Sequence, residues 1–275
     1  MVSPHRSSDE SQPRVRHRKS AAKLRPDQLD ALREGFETIQ ALSDKNGFAF
    51  WAGKHGAPDY DCEHSSEELG YDNLFLPWHR AYLYQLELAL QSKVAQCTLP
   101  WWDWAASQGG EGIPPAFRDE TTESGGANPL VGFSIPPLPG NPPGWPTGTW
   151  REPRDPAKLP NQQLIEEVIE ESNFDVFSEA LEARLHNGIH GWVGGTMQWQ
   201  ATAAYDPIFW AHHTMVDRIW AIWQGRHASY GPRQELWGEP LKGLGLTVGQ
   251  VLDTTALGYD YAASTDHRKP GSEGE

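Results

Sequence analysis

Seven of the 11 histidines fall in two clusters, and this pattern constrains the fold more than any other feature of the chain. The N-terminal cluster is His55, His64 and His79, and the C-terminal cluster is His186, His190, His212 and His213. His186 and His190 are four positions apart, so in a helix both rings lie on one face. Imidazole is a common metal ligand, and bundles build metal sites from side chains on facing helices. The two clusters therefore predict metal sites between helices.

Apolar residues recur at steps of three and four in four segments, which predicts four long helices. In the second of these, His79 shares an inward stripe with Leu83 and Leu86, and in the fourth Asp206 is the expected N-cap, followed by Pro207. The four helices begin near Pro26, near Pro77, near Phe174 with an end near Val193, and at Pro207, and a shorter helix is expected over Phe48–His55. The pattern predicts a mainly α protein with a four-helix bundle core, long irregular loops and little β structure.

Domain boundaries follow from where this periodicity stops. Residues 1–20 and 263–275 offer no apolar periodicity and are predicted to be a disordered N-terminal arm and a disordered C-terminal tail, so one folded domain is expected over residues 21–262. The proline- and glycine-rich stretch 114–160 is predicted to be an ordered but irregular excursion from that domain.

Charge and hydropathy limit the kinds of partner that the protein is expected to bind. The net charge of −14 argues against nucleic acid or an anionic membrane surface, which need a basic face, and favours a small neutral or cationic ligand. No run of eighteen apolar residues occurs, and the N-terminus lacks the apolar region of a secretory signal. We expect a cytoplasmic protein, unless a partner protein carries it out of the cell.

The clusters favour a transition metal that accepts several imidazoles, such as copper, zinc, iron or nickel, over hard cations that prefer oxygen. A single catalytic zinc would use three ligands and leave three histidines idle. A zinc hydrolase with an HxxxH pair would also need a glutamate inside the pair, where Asn187 and Gly188 stand. Zinc is therefore disfavoured, and two three-histidine sites are indicated.

Four sequence blocks in a fixed order, FLPWHR, TLPWWDW, HNGIHGWVGG and DPIFWAHHTMVDRIWAIWQ, resemble the signature blocks of the tyrosinases, polyphenol oxidases and catechol oxidases. These are the type 3 copper proteins. GYDY near the end is similar to the tyrosine motif that closes their core, and the resemblance covers roughly residues 15–261. It implies a copper domain with two copper ions, dioxygen as co-substrate, and a core of the bacterial type without a C-terminal covering domain.

The resemblance also implies the ligands. His55, His64 and His79 would hold the first copper, and His186, His190 and His213 the second. His212 would then lie behind the ligands of the second copper. Because successive helical residues point about 100° apart, only one of His212 and His213 is expected to face the metal.

Further roles are implied at positions beside the ligands. Cys62 would be bonded through its sulfur to the His64 ring, a thioether that fixes a ligand lying on a loop, whereas Cys97 is interpreted as a core residue. Glu182 and Asn187 would hold a water that deprotonates a monophenol. Gly191, after His190, and Gly188 would leave space above the second copper for a flat substrate. Asp206 and Asp217 are interpreted as residues that orient ligands or pair with Arg80 or Arg218.

The implied function is oxidation of ortho-diphenols, with hydroxylation of monophenols, to ortho-quinones. The alternatives are an ortho-aminophenol oxidase, a catechol oxidase without monophenol activity, and an oxygen carrier like the hemocyanins. The expected partner is a small phenolic substrate, and a copper-delivery protein is possible by analogy with bacterial relatives. The sequence does not predict the oligomeric state or the natural phenol.

Overall fold

Helices dominate the computed structural model of the chain, which describes residues 15–64, 73–107, 112–138, 143–227 and 231–262. The α-helices are α1 Pro26–Gln40, α2 Phe48–His55, α3 Phe75–Gln91, α4 Trp104–Ser107, α5 Pro115–Arg118, α6 Gln162–Ile169, α7 Phe174–Ala180, α8 Asn187–Val193, α9 Gln200–Ala203 and α10 Pro207–Arg226. The strands are β1 Arg16–Arg18, β2 Pro240–Leu241, β3 Leu246–Thr247 and β4 Tyr259–Tyr261. The predicted mainly α class is confirmed.

The long helices begin where the sequence signals placed them. Asp206 caps α10, since its carboxylate accepts a hydrogen bond from the Ile208 backbone N–H at 3.1 Å, and Pro207 occupies the first turn. α3 begins at Phe75, two residues before the predicted Pro77, and α2 has the predicted bounds. α1 ends at Gln40, several residues earlier than the expected end near Asn46.

The core lies between α3 and α10, which pack against each other, with α1 on the outer side of α3. Aromatic rings fill this interface: Tyr82 of α3 lies 4.5 Å from Trp210 of α10, measured between ring centroids. Both rings are fully buried. Because α3 and α10 each carry histidines on this buried side, their packing brings the two histidine clusters together.

The predicted third helix is helical over its whole length, but it is not a continuous α-helix. Between α7 and α8 the residues Leu181–His186 form a π-helical turn, in which the Asn187 N–H bonds to the Glu182 carbonyl. Such turns insert one extra residue into a helix and often occur at functional sites. Here the turn buries Glu182 and His186 and leaves Arg184 exposed.

Two strand pairs complete the described fold. β1 runs parallel to β4, with Arg16 opposite Tyr259, and β2 and β3 form a short antiparallel pair. The prediction that residues 1–20 form a disordered arm is therefore wrong for residues 15–20, because β1 is ordered and Arg18 is fully buried. Residues 1–14 and 263–275 lie outside the described residues.

Arg18 is buried through contacts with charged and aromatic residues, which apolar periodicity in the sequence does not predict. Its guanidinium donates to Glu87 at 2.7 Å and to Asp217 at 3.2 Å, and it lies 3.6 Å from the centroid of the Tyr259 ring. Tyr259 and Tyr261 both donate hydrogen bonds to Asp217. We call Arg18, Glu87, Asp217, Tyr259 and Tyr261 the terminal network, since it joins β1 and β4 to α3 and α10.

The described part of residues 114–160 is irregular, as predicted, with the short helix α5 and a 3₁₀ turn over Pro156–Lys158. It packs on the core: Phe133 lies 4.9 Å from Phe48 between ring centroids, and Arg151 donates to the Asp206 carboxylate with a shortest N–O distance of 2.5 Å. The carboxylate that caps α10 thus also anchors this segment. Within the residues that the structure describes, no helix combines the length and apolar character needed to cross a bilayer.

Candidate metal centre

The first histidine group lies where α2, the following loop and α3 meet. His55 is the last residue of α2, His64 lies on the loop, and His79 is in α3. Ring centroids are 5.6 Å apart for His55 and His79, 6.1 Å for His55 and His64, and 5.9 Å for His64 and His79. Nδ1 of His79 donates to the Phe75 carbonyl at 2.8 Å, which leaves Nε2 free to coordinate a metal.

The second group brings three Nε2 atoms close together. Nε2 of His186 lies 3.0 Å from Nε2 of His190 and 3.3 Å from Nε2 of His213. Three nitrogens bound tetrahedrally to one ion at about 2.0 Å lie roughly 3.3 Å from one another. Nδ1 of His190 is fixed by the Met197 carbonyl at 2.8 Å. The spacing of these nitrogens therefore fits a single metal ion.

The two groups are adjacent in space. The rings of His79 and His213 stack at 4.4 Å with an interplanar angle of 8°. His213 also forms a potential ligand set with His55 and His79, in which the nitrogens lie within 4.8 Å of one another. Ions at the two groups would thus share one site.

Burial keeps these rings uncharged. It lowers the pKa of His55, His79, His186 and His213 well below the usual value near 6.5, and the neighbouring imidazoles lower it further. Burial lowers the pKa of His190 to about 4, although the Met197 carbonyl acts in the opposite direction. Neutral imidazoles present lone pairs at pH 7, which metal binding requires.

Copper fits this donor set. Nδ1 of His213 is buried without a hydrogen-bond partner among the described residues, as are both ring nitrogens of His212. Buried polar atoms are normally paired, so unpaired nitrogens beside several other imidazoles indicate a missing ligand. Imidazoles with a nearby thiol suit copper better than a hard cation. The two-copper centre implied by the family therefore agrees with the side chains present.

Cys62 lies inside the first group. Its sulfur is 3.1 Å from Nε2 of His64 and 3.4 Å from Nε2 of His79. Burial raises the pKa of the thiol well above its usual value, and the nearby carboxylates of Glu182 and Glu63 raise it further. The contact with His64 has the partners of the predicted thioether, and the covalent bond itself stays a prediction.

Glu182 has a contact that the sequence did not predict. Its side chain is buried, and one carboxylate oxygen lies 2.8 Å from Nδ1 of His64, a residue of the first group. Asn187 lies beside the second group, with its side-chain oxygen 3.1 Å from Nδ1 of His186. The two predicted water-holding residues thus flank the centre, one at each group, and their shared water stays a prediction.

A cavity of about 300 Å³ borders both groups. Its lining is His55, His64, His186, Asn187, His190, Met197, Gln198, Gln200 and Ala203. The segment Met197–Gln200 was missed by sequence reasoning, because MQWQ carries no motif or periodicity. Its position follows from tertiary contacts: the Ala57 N–H, two residues after His55, bonds to the Ala201 carbonyl at 3.1 Å.

The two glycines of the predicted substrate space lie outside this lining. Gly188 lines a separate surface depression with Lys158, Arg184 and Trp192, so the expectation that it leaves space above the second copper is wrong. Its exposed position explains why: the inward face of the helix belongs to His186 and His190. Gly191 follows His190, and a Cβ there would meet no described atom within 4 Å. Its role stays a prediction.

His212 is closer to the ligands than expected. Its ring is fully buried, stacks on His186 at 5.1 Å, and lies 4.8 Å from His190 and 4.9 Å from His213 between centroids. With those three residues it forms a group whose potential ligand atoms lie within 4.8 Å of one another. The expectation that only one of His212 and His213 faces the metal stays a prediction.

The predicted pairing of two aspartates is confirmed for one of them. Asp217 accepts a hydrogen bond from Nε of Arg80 at 2.5 Å, and Arg80 follows the ligand His79 in α3. Asp206 instead pairs with Arg151 from the irregular segment. The interaction of Asp217 with Arg80 connects the two helices that carry His79 and His213.

Comparisons with known proteins agree with this geometry. A family model described as the common central domain of tyrosinase matches residues 45–226. Tyrosinases of Streptomyces antibioticus and Streptomyces glaucescens are 32% and 34% identical over 179 and 181 residues, which are 56% and 57% of this chain. The matched region spans 64% of each of those relatives.

Solved structures include a hemocyanin. The chain is similar to a functional unit of octopus hemocyanin, with a TM-score of 0.72 and 27% sequence identity. That similarity covers 90% of this chain and 68% of the hemocyanin unit. With the family match over residues 45–226 and the two histidine groups between α2, α3, α8 and α10, the chain belongs to the tyrosinase family of type 3 copper proteins.

Proposed function

We propose that the protein is a copper-dependent oxidoreductase that uses dioxygen to oxidise ortho-diphenols to ortho-quinones and that also hydroxylates monophenols. The observation that carries this proposal is the cavity of about 300 Å³, which borders His55 and His64 of the first group and His186 and His190 of the second. A single phenol ring fits such a volume and would lie beside both groups. The Streptomyces tyrosinases support the same activity.

The histidines would form two ligand sets, one for each copper ion. His55, His64 and His79 would hold one copper ion, and His186, His190 and His213 would hold the other. Two bound copper ions supply the redox chemistry, since each can accept one of the two electrons that a catechol gives up. The buried rings exclude water from the ions, and the carbonyls of Phe75 and Met197 keep their ligands in a fixed orientation.

Side chains at the cavity would help to deprotonate the substrate. A phenol has a pKa of about 10 and needs a base to be deprotonated at neutral pH. Asn187 lines the cavity and is exposed, so its amide can hold a water there. Glu182, whose carboxylate contacts His64 at the same cavity, would accept the proton from that water. Its π-helical position turns the carboxylate inward.

A catechol or ortho-aminophenol oxidase without monophenol activity is the second candidate. The hydrogen-bond contact between Glu182 and Nδ1 of His64 favours it, because a carboxylate that orients a metal ligand is less available as a base. Diphenols do not need that base to the same extent. The two candidates therefore differ in what Glu182 does.

Oxygen carriage is the third candidate, and the similarity to octopus hemocyanin supports it.

If the protein is an oxidase, its net charge of −14 favours the binding of neutral or cationic phenols over anionic ones. A small phenol as partner, copper delivery by a second protein and a cytoplasmic location remain part of this proposal.

Copper reconstitution with metal analysis and three parallel assays tests the proposal. We expect two copper ions per chain, rapid oxidation of a catechol, slower oxidation of a monophenol, and little turnover of an ortho-aminophenol. A fully loaded, folded protein with one ion per chain would contradict the dicopper assignment. Reversible oxygen binding with unchanged catechol after hours would instead indicate a carrier.

A further inference from the structure

The cavity beside the two histidine groups has a polar rim to which the proposed function gives no task. Three of its lining residues come from the segment Met197–Gln200, which we call the rim segment. The Met197 carbonyl accepts a hydrogen bond from Nδ1 of His190 in the second group, and the adjoining Ala201 carbonyl accepts one from the Ala57 N–H, just beyond α2. The rim segment is therefore fixed relative to both groups.

The backbone of the rim segment places two glutamines on the same side. Gln198 ends a 3₁₀ turn and Gln200 begins α9, and Trp199 between them is extended, with φ −111° and ψ 123°. Successive side chains of an extended backbone point to opposite sides. Gln198 and Gln200 accordingly line the cavity, whereas Trp199 lies outside its lining and is 61% exposed. Two exposed carboxamides thus lie at the rim.

The described residues of the lining include no Lys, Arg, Asp or Glu beside these carboxamides. Apart from the histidines, the lining consists of Asn187, Met197, Gln198, Gln200 and Ala203. A glutamine side chain provides both N–H donors and a carbonyl acceptor, which complement the acceptor and donors of another amide. A carboxylate can only accept and an alkyl chain can do neither. The rim therefore matches an uncharged amide better than an acid or an alkyl group.

We propose that Gln198 and Gln200 determine substrate specificity by binding an uncharged amide group on the phenol. With the hydroxyls directed to the histidine groups, the opposite end of the ring faces the rim, where a short chain ending in an amide pairs with the two carboxamides. The substrates are thus amide-bearing phenols rather than alkyl phenols or phenolic acids. This inference rests on the proposed function, since it concerns the phenol bound in the same cavity.

Catechols that differ only in the chain para to one hydroxyl provide the main test. The chains are propanamide, propanoate and butyl, which are similar in length, and the protein is loaded with copper. We expect the amide to have a kcat/KM about tenfold higher than either of the others, mainly through a lower KM, because its hydrogen bonds to the rim form on binding. Diphenols are used so that the result does not depend on monophenol activity.

Removing the two carboxamides should abolish this preference. In Gln198→Leu/Gln200→Leu, the kcat/KM of the amide should come within about twofold of that of the butyl compound. Gln163→Leu is the matched control, since it removes an exposed carboxamide of α6 outside this lining, and it should keep the full preference. A folded double variant with the preference of the wild type would overturn the inference.

Gln200→Glu gives a readout in the opposite direction. A catechol with an aminopropyl chain, which is protonated at pH 7, should gain about threefold in kcat/KM relative to the wild type, and the propanoate should lose by a similar factor. A change in packing alone would not separate the two charges in this way. Unchanged values for both chains would show that residue 200 does not contact the substituent and would overturn the inference.

Binding of unreactive analogues separates failure of this inference from failure of the proposed function. Phenylpropanamide and phenylpropanoate lack the hydroxyls, and calorimetric titration of the copper-loaded wild type should give a Kd roughly tenfold lower for the amide. These measurements need no variant, so they hold even if a substitution prevents folding.

The outcomes are distinct. Equal Kd values, or equal kcat/KM for the three catechols, would overturn the inference, and the oxidase proposal would stand wherever catechols are oxidised. A protein that oxidises no catechol but binds the amide more tightly than the acid would support amide binding at the rim and contradict the oxidase proposal.

Discussion

At the scale of single residues, three of the histidines at the centre have their second ring nitrogen already fixed. His79 and His190 each use Nδ1 on a backbone carbonyl, and His64 uses Nδ1 on Glu182. A ring fixed at one nitrogen presents the other in a defined direction, which lowers the entropy lost when metal binds. Asn187 and Cys62 lie beside such rings, so their substitution should affect particular steps rather than the fold.

Replacing Asn187 with alanine separates the two phenol activities. We expect monophenol turnover to fall by about 100-fold, because positioned proton transfer contributes about that much or more, while catechol turnover changes by less than twofold. Steady-state kinetics on both substrates measures this. Glu182→Gln serves as the comparison and should reduce both activities, since Glu182 also contacts His64. Equal losses on both substrates for Asn187→Ala would exclude the water-holding role.

The thioether prediction can be tested by mass. Copper loading in air should reduce the mass of the intact protein by two units, as sulfur of Cys62 replaces a hydrogen on the His64 ring and the Cys62 thiol loses its proton. Loss of these two hydrogen atoms is a two-electron oxidation, and dioxygen is the oxidant, which is reduced to hydrogen peroxide. Cys62→Ser should show no such change, and Cys97→Ser should behave like the wild type. A free Cys62 thiol in the active, copper-loaded protein would rule the bond out.

At the residue scale the sequence predicted which histidines come together, but not the contacts that orient them. The histidines are visible because they cluster and because two of them have helical spacing. The contact between Glu182 and His64 joins residues 118 positions apart, and the carbonyl that fixes His190 comes from Met197 in a segment without any motif. Such contacts depend on tertiary packing, so no local sequence pattern predicts them.

At the scale of elements, the loop that carries Cys62 and His64 is held by the hairpin of β2 and β3. Asp61 lies 3.3 Å from Lys54 of α2 and 3.2 Å from Lys242 of the hairpin, measured between charged atoms. Nε1 of Trp78 in α3 donates to the Lys242 carbonyl at 3.0 Å. The hairpin thus ties the ligand loop to α3, and Lys54 ties the same loop to α2.

Gly243→Ala tests the hairpin contact, and Gly245→Ala is its matched control. Both glycines have positive φ, at 72° and 70°, so alanine strains both backbones by about 1 kcal/mol or more. A Cβ at Gly243 would lie 2.1 Å from a carboxylate oxygen of Asp61, whereas a Cβ at Gly245 meets no described atom within 4 Å. Gly243→Ala should therefore lose copper to a chelator faster than Gly245→Ala does. Equal rates would show that the contact does not position the loop.

Asp217 should make the free energy of unfolding depend on pH in the acid range. Burial raises its pKa, but Arg80 and Arg18 lower it more, and the net shift is below the usual 3.8. The folded state thus binds the proton less readily than the unfolded state, so this stabilisation is present above pH 3.8 and is lost as pH falls through the folded pKa. Urea unfolding should show Asp217→Asn less stable by about 3–5 kcal/mol at pH 7.

The difference between wild type and Asp217→Asn should shrink as the pH falls below about 3.8. Asp30→Asn, at an exposed position of α1, should show neither the loss at pH 7 nor the change with pH. A difference that is constant over this range would mean that packing, rather than charge, is what Asp217 contributes.

Helices were the elements that the sequence could predict, because their apolar spacing, proline positions and the Asp206 cap are local signals. β1 could not be predicted. It has three residues, RHR, and its partner Tyr259–Tyr261 lies about 240 positions away. The π-helical turn at Leu181–His186 was missed for a similar reason, since its sequence reads as an ordinary helix and the extra residue follows from burying Glu182 and His186.

At the scale of the whole molecule, metal binding and folding are coupled. The centre places unpaired imidazoles in the middle of the core, where the metal-free protein must bury them without ligands. A ligand that binds only the folded state stabilises it by about 4 kcal/mol at a free concentration 1,000 times its dissociation constant. Copper should therefore stabilise the entire domain.

Thermal unfolding with and without copper measures this coupling. Removal of copper by a chelator should lower the Tm by roughly 8–16 °C, given about 2–4 °C per kcal/mol for a domain of this size. The variant His79→Gln/His186→Gln, which loses one ligand from each group, should show a much smaller difference. An identical Tm for loaded and metal-free wild type would contradict the coupling of copper binding to folding.

The pairing of β1 with β4 has a consequence for when the protein can mature. Arg18 donates to the hydroxyl of Tyr261 across 243 positions, and the same guanidinium bonds to Asp217 and Glu87 behind the ligand-bearing helices. Almost the whole domain must therefore leave the ribosome before Arg18 can form all of these hydrogen bonds. Copper supplied earlier meets a chain whose histidine-bearing helices do not yet have these hydrogen bonds, so we expect the ions to be acquired after residues 259–261 have been synthesised.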